Sequence, residues 1–230
     1  MIKLVLLRHG ETLWDKEGKL AGWMDVDLSP EGVKQARQAA QRLKKEGYTF
    51  DVAFTSVLKR AIRTLWVVQS EMELMWVPTH KSWRLNEQHY GALQGLSEAE
   101  IIEKFGEQQV AVWQQTFDVP TPPLTRDDFR FAGNDPRYQD LTDLTVPMSE
   151  CLKDTVARVL PYWHDTMAMP VRNGKHVLVV AHANSLRALM KELDRMTDGA
   201  AAELDIPPAV PIVYELAESL RPFKHYSLAG

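Results

Sequence analysis

Two histidines and two arginines stand where short apolar runs of this chain give out, and together they suit phosphoryl transfer. Arg8-His9-Gly10-Glu11-Thr12 follows the run Lys3 to Leu7. Thr55-Ser56 closes a second run, with Arg60 one helical turn on, and His182-Ala183-Asn184 follows a third. One imidazole can attack phosphorus while the other stabilises the equatorial oxygens. Arginine's planar fork gives a phosphoryl group two charge-assisted hydrogen bonds. Zinc is the rival use of the histidines, but the chain has no H-x-x-x-H or C-x-x-C spacing, and arginine beside a metal would repel it. His89, between Glu87 and Tyr90, is less easily dismissed than His80, His164, His176 and His225, which are read as surface or packing residues.

Such a convergence needs strands whose carboxyl ends share one edge of a sheet. Lys3 to Leu7, Asp51 to Thr55 and Lys175 to Ala181 are apolar runs of strand length, and Val210 to Tyr214 is a late strand. Ser29-Pro30-Glu31 opens a helix that runs to about Glu46 and stops at Gly47. Ser56 is expected to cap a second helix, to about Met72. Ser149 to Met167 reads as an amphipathic helix holding Cys151 as a small buried thiol, and Asn184 to about Met196 as another helix. Helix N-termini after Ser56 and Ala183 would add N–H donors for an anion. The alternation predicts an α/β fold of three layers, α/β/α, with a mainly parallel sheet and helices on both faces. One domain is expected over 1–230, with a lid-like lobe at about 97–148, since Phe117 to Pro147 is rich in Pro, Asp, Thr and Arg and has little periodicity. Trp66, Met72, Met75 and Trp76 make an apolar cluster near a helix end, read as core, with a dimer face as the alternative.

A chain of 230 residues, 45% hydrophobic, supports one sizeable core. A net charge of -4 offers nucleic acid no general basic field. No segment reaches eighteen uninterrupted apolar residues, and no cleavage-site pattern follows the first run, so no membrane association is expected. A single cysteine rules out an internal disulfide and fits a cytoplasmic home.

Longer motifs carry a family resemblance. Leu4 to Glu11, Gly22-Trp23 with Asp25 to Ser29, Thr55 to Ala61, Trp83 to Glu87, His89 to Leu96, Asp135 to Tyr138 and Asn184 to Leu189 resemble, in register over nearly the whole chain, the cofactor-dependent phosphoglycerate mutases of the histidine phosphatase superfamily. The resemblance implies that His9 is the phosphorylated nucleophile, that Arg8, Arg60 and His182 hold the transferring group, and that Glu87 is the general acid/base. It implies 2,3-bisphosphoglycerate as primer, no metal, a small phosphorylated metabolite as partner, and a homodimer or other homo-oligomer. It places Thr12, Asp15, Ala21, Gly22, Gln88, His89, Tyr90, Glu98, Gln114, Gln115, Ala183 and Asn184 around the substrate.

The departures from that family cluster. Asp15 stands where the family has Asn, Ala21 for Thr, Gln88 for Arg, Glu98 for Lys, and Gln114-Gln115 for two arginines. Ala183 replaces Gly, and Pro208-Ala209 replaces Thr-Gly. The outer anion clamp thus moves by roughly six charge units toward negative. Each charged hydrogen bond lost costs roughly 1.5–3 kcal/mol. The chain also stops at Ser227-Leu228-Ala229-Gly230, soon after the last expected strand, and an open site admits water. Three readings follow. One is a mutase-like phosphotransferase interconverting 2- and 3-phosphoglycerate, with weakened or changed specificity. Another is a phosphatase for a less anionic or amine-bearing monoester. The last is a non-catalytic binding relative.

Overall fold

The computed structural model describes residues 2–142 and 145–229; residues 143–144 of the expected lobe and Gly230 of the tail lie outside them. β1 (Ile2–Arg8) is apolar at nearly every position because both of its faces are covered. Leu4 and Leu6 enter one core cluster, while Val5 and Leu7 enter the other. β4 (Val177–Ala181) divides in the same way: Val177, Val179 and Ala181 face one cluster, and Leu178 and Val180 face the second.

Helices supply the outer layers. α1 (Pro30–Lys45), capped by the Ser29 hydroxyl, and α2 (Lys59–Glu71) cover one face through Ala39, Ala40, Leu43, Leu65 and Val68. α3 (Glu98–Phe105) and α4 (Glu107–Gln115) stand apart, joined at Gly106. α5 (Leu152–Tyr162), α6 (Ala168–Arg172) and α7 (Ala183–Asp194) cover the other face through Val159, Val171, Leu186 and Leu189. A short α8 (Asp198–Glu203) follows.

The sheet runs β3-β2-β4-β1-β5-β6, with β2 Val52–Thr55, β3 Thr79–Lys81, β5 Ile212–Leu216 and β6 Pro222–Ser227. The first four strands of that order are parallel, and β5 and β6 run antiparallel. The three-layer α/β expectation therefore holds, with an antiparallel edge added. β3 and β6 escaped the sequence reading because they are edge strands with mostly exposed, polar residues.

Several local expectations change. Ser56 does not cap α2: the cap position is Leu58, whose N–H goes to Ser56 Oγ, while Asp25 Oδ1 takes the first helical N–H, of Lys59. The helix expected over 149–167 begins only after Cys151 and passes through a π-helical turn, Trp163–Met167, into α6. Pro161 and Pro170 flank that wider turn, each removing a backbone donor. Cys151 is buried, as expected. The Trp66 cluster is not core. Met72 turns inward, but Trp66, Met75 and Trp76 are 56%, 74% and 71% exposed. Trp66 lies off the buried stripe of α2, and the left-handed turn at Glu73 carries the other two outward.

The stretch expected as a lid is partly helical. Ile101 of α3 and Val110 of α4 pack with Leu93, Leu20 and Trp113. Farther along, Phe131, Ala132, Tyr138 and Val146 build a small core on Trp23.

Candidate active site

β1, β2 and β4 end level with one another: Arg8 pairs with Ala181, and Thr55 with Val180. The next residues therefore meet. His9 N–H donates to the Ala181 carbonyl at 3.0 Å, and the rings of His9 and His182 lie 4.9 Å apart. The turn packs tightly on the start of α1, where a side chain on Gly10 would strike the Gly32 carbonyl.

Hydrogen bonds fix the chemistry of His9. Its Nδ1 lies 2.8 Å from the Gly10 carbonyl, which can only accept, so Nδ1 carries the proton. The lone pair is then on Nε2, and Arg60 Nε points at it from 3.3 Å. Burial, then Arg60, then Arg8 hold the His9 pKa well below its usual value, which keeps the ring neutral. His182 is held down likewise, first by burial and then by Arg60 and His9. Its Nε2 bonds Ser56 Oγ at 2.8 Å, and its buried Nδ1 has no partner among the described residues.

Neither arginine touches a carboxylate among the described residues, although Glu87, Asp25 and Asp15 act on Arg60 from farther off. Arg60, 1% exposed, donates to the Gly22 and Met24 carbonyls at 2.7 and 3.0 Å. Arg8 Nη1 donates to the Ile206 carbonyl at 2.8 Å, and its buried Nε is unpartnered. Neither forms an ion pair among the described residues. Two guanidinium charges without a carboxylate in contact make a receptor for an anion. Glu87 completes the group. Its Oε1 accepts the N–H of Gln88 at 2.8 Å and that of Asn184, in the first turn of α7, at 3.1 Å.

An ion pair that sequence reasoning missed holds the Glu87 loop. Arg158 Nε and Nη2 reach Glu150 Oε1 and Oε2 at 2.6 and 2.9 Å, both residues being buried. The same guanidinium donates to the carbonyls of Arg84, Asn86 and Glu87, while Glu150 Oε2 takes the N–H of His89. Nothing local in the sequence couples these two residues to positions some seventy places earlier; only the fold does.

A cavity of about 440 Å³ opens at Gln88, Tyr90 and Asn184, the neighbours of Glu87; Arg8, His9, Arg60, Glu87 and His182 themselves do not line it. Of the residues expected around the substrate, Asp15, Gln88, Tyr90, Glu98, Gln114 and Asn184 line it. Gln115 is exposed and does not, since adjacent helical residues point about 100° apart. Thr12 stays outside the lining, its N–H bound to Asp15 Oδ2 at 2.6 Å. Ala21 and Gly22 act through backbone, Gly22 as a carbonyl acceptor for Arg60 and Ala21 as one for Met24. His89 is fully buried against Trp23, with Nδ1 accepting from Gly91 N–H. Burial and Arg158 push its pKa down to about 3, so it supports the loop as a neutral ring and lies outside the lining. Ala183 opens α7 without a left-handed φ; Ala209 does carry one, +52°, and its N–H holds the Arg8 carbonyl. Trp113, Arg187 and Lys19 also line the cavity and were not expected there. No group of three or more His, Cys, Asp or Glu among the described residues is placed to hold a metal, and none of their helices is long and apolar enough to cross a membrane.

Comparison with known proteins agrees with this geometry. A mycobacterial glucosyl-3-phosphoglycerate phosphatase solved with VO3 is 25% identical over 94% of this chain and 93% of its own, with a TM-score of 0.70. YhfR of Bacillus stearothermophilus (22% identical, 94% and 91% covered, TM-score 0.70) and the α-ribazole phosphatase of Shigella flexneri (20%, 94% and 91%, 0.68) share the fold. The match is to a superfamily and does not single out its phosphoglycerate mutases. Residues 4–226 match the family model, and the chain belongs to the histidine phosphatase superfamily, branch 1.

Proposed function

We propose that this chain is a phosphomonoesterase that works through a phosphohistidine at His9. The observation that carries the reading is the pair of buried, unpartnered nitrogens, Arg8 Nε and His182 Nδ1, beside a histidine whose free lone pair is on Nε2. With Ser56 Oγ–H donating to His182 Nε2, His182 Nδ1–H is left for a phosphoryl oxygen. In the first step His9 Nε2 bonds phosphorus, the ester P–O bond breaks, and Glu87 gives its proton to the departing oxygen. Glu87 then takes a proton from water, whose oxygen displaces Nε2 and leaves as inorganic phosphate. Arg8, Arg60 and His182 balance the charge of the transferring oxygens throughout.

The 2,3-bisphosphoglycerate primer suits a mutase and fits poorly here. Its second phosphate and carboxylate would face Asp15 and Glu98 in a cavity whose clamp positions Gln88 and Gln114 are neutral. No step is routed through it. The likeness to the mycobacterial phosphatase, over 93% of its length, supports the hydrolytic reading.

The experiment is intact-mass analysis after exposure to acetyl phosphate, paired with phosphate release from alkyl phosphates. The expected results are a +80 Da adduct of one phosphoryl group (roughly that mass), absent in His9→Ala, and free phosphate without a phosphorylated acceptor. Interconversion of 2- and 3-phosphoglycerate with no phosphate released would replace this reading by the mutase one; no adduct and no turnover would leave a binding protein.

A further inference from the structure

The cavity begins at the shoulder of the general acid. Asn184, whose N–H holds Glu87 Oε1, lines it, and so do Gln88 and Tyr90 on the Glu87 loop. Asn184 Nδ2 also donates to Tyr90 Oη at 2.8 Å, tying the two walls together. An ester oxygen protonated by Glu87 therefore carries its organic group into this space.

The wall farther out is apolar. Leu20, Leu93, Ile101, Val110 and Trp113 line it, and all five belong to one packed cluster. Trp113 is held edge-on to Phe105, with ring centres 5.2 Å apart, so its indole is a fixed surface. The cavity volume is within the range that encloses a ring-sized organic group.

The charges that line the cavity do not suit a carboxylate. Lys19 is held by Glu17 at 2.6 Å. Arg187 directs Nε to the Leu204 carbonyl and Nη1 to Asn184 Oδ1, which makes it a support for Asn184. Asp15 gives Oδ2 to the Thr12 N–H, and Glu98 gives Oε1 to the Gln114 amide at 3.3 Å. Neither acid is paired with a cation among the described residues. A carboxylate entering here meets two unpaired carboxylates against one guanidinium without a carboxylate partner among the described residues, Arg187, whose Nε and Nη1 are already turned to Leu204 and Asn184, so the balance of charge is against it.

We infer that this cavity takes the organic part of a phosphate monoester of a bulky, apolar, carboxylate-free alcohol, with Trp113 setting the preference. The inference rests on the proposed hydrolysis at His9.

The test compares unactivated primary alkyl esters, so that leaving-group chemistry is matched: ethyl phosphate, 2-phenylethyl phosphate and 2-(4-carboxyphenyl)ethyl phosphate. Burial of the ring predicts kcat/KM for the phenylethyl ester at least about thirtyfold above the ethyl ester. Charge predicts it at least about tenfold above the carboxyphenyl ester. Trp113→Ala lowers the phenylethyl-to-ethyl ratio at least about fivefold, and Trp113→Phe retains most of it. Equal turnover of ethyl and phenylethyl esters, a preference for the carboxylate, or a ratio unmoved in Trp113→Ala overturns the inference. Phosphoryl uptake from acetyl phosphate is measured on the same protein. Uptake at His9 without any of these preferences sinks the cavity reading alone, whereas no uptake and no ester hydrolysis sinks the phosphohistidine reading as well.

Discussion

Around His9 most of the polar groups are buried and are held by backbone carbonyls or by one another, while Arg8 Nε and His182 Nδ1 have no partner among the described residues. Around Trp113 the acids are at the rim, where Asp15 and Glu98 are exposed, and the buried wall combines Leu93, Ile101 and Val110 with the neutral polar Gln88, Thr121 and Asn184. On the proposed reading, the first region would draw its power from low dielectric, where two guanidiniums outside any salt bridge among the described residues act on one phosphoryl group. On the same reading the second would discriminate by shape and by a lining in which Lys19 is held by Glu17 and Arg187 by Leu204 and Asn184. The difference teaches that the two regions can change independently: the chemistry needs fixed donors on three strand ends, while the choice of ester depends on loop and short-helix residues.

The widest separation between the regions comes from Arg60. Arg60→Gln removes a fixed donor from the phosphoryl group, and kcat should fall about 10³-fold on every ester alike. Steady-state kinetics on the ethyl and phenylethyl esters checks this; a loss confined to one ester would mean that Arg60 reads the organic group.

The inner region should also govern acid stability. His9, His89 and His182 have lowered pKa values in the folded chain, His89 down to about 3, whereas unfolded histidine titrates near 6.5. Below about pH 6.5 the unfolded chain binds protons that the folded chain refuses, so stability falls as pH falls, by up to about 1.4 kcal/mol per pH unit for each histidine. Denaturant unfolding at pH 7.0 and 5.5 measures the slope, which His182→Gln should reduce by one histidine's share. A flat profile would show that these rings protonate freely.

Arg158 is expected to act as a positioning residue, because its guanidinium holds the Asn86 and Glu87 carbonyls. Arg158→Met should slow alkyl phosphates about 10²-fold, because their alkoxides need Glu87's proton, but should slow p-nitrophenyl phosphate much less. Parallel losses on both would assign Arg158 to folding alone.

The smallest effect belongs to the rim. Glu98→Lys restores one positive charge and should raise the ratio of kcat/KM for 3-phosphoglycerate over 2-phenylethyl phosphate about tenfold. An unmoved ratio would place the charge discrimination elsewhere.

The same division explains what was legible in the sequence. The convergence of Arg8-His9, Thr55-Ser56 and His182 could be read because buried parallel strands are continuous apolar runs, and each run ends abruptly in one of these groups. Strand bounds came within about two residues for the same reason. The cavity was harder. Trp113 and Val110 look like one face of any amphipathic helix, and Arg187 like a surface cation. What they line depends on how α4 lies against α7 and α8. Ser56 was misread as a helix cap because its hydroxyl serves Leu58 and His182 while a distant acid, Asp25, serves the helix.

The strand order has a further consequence, during synthesis. β4 lies between β1 and β2, so the two N-terminal strands share no ladder until residues 177–181 exist. At a translation rate of roughly 5–20 residues per second, the ribosome needs roughly ten to thirty seconds to reach β4 after completing β1. Throughout that interval Arg8 and His9 hang from a strand with no neighbour, and the sticky run Leu4 to Leu7 is open to other chains. The sheet edge that carries Arg8, His9 and His182 is therefore complete only after β4 has been made, late in synthesis.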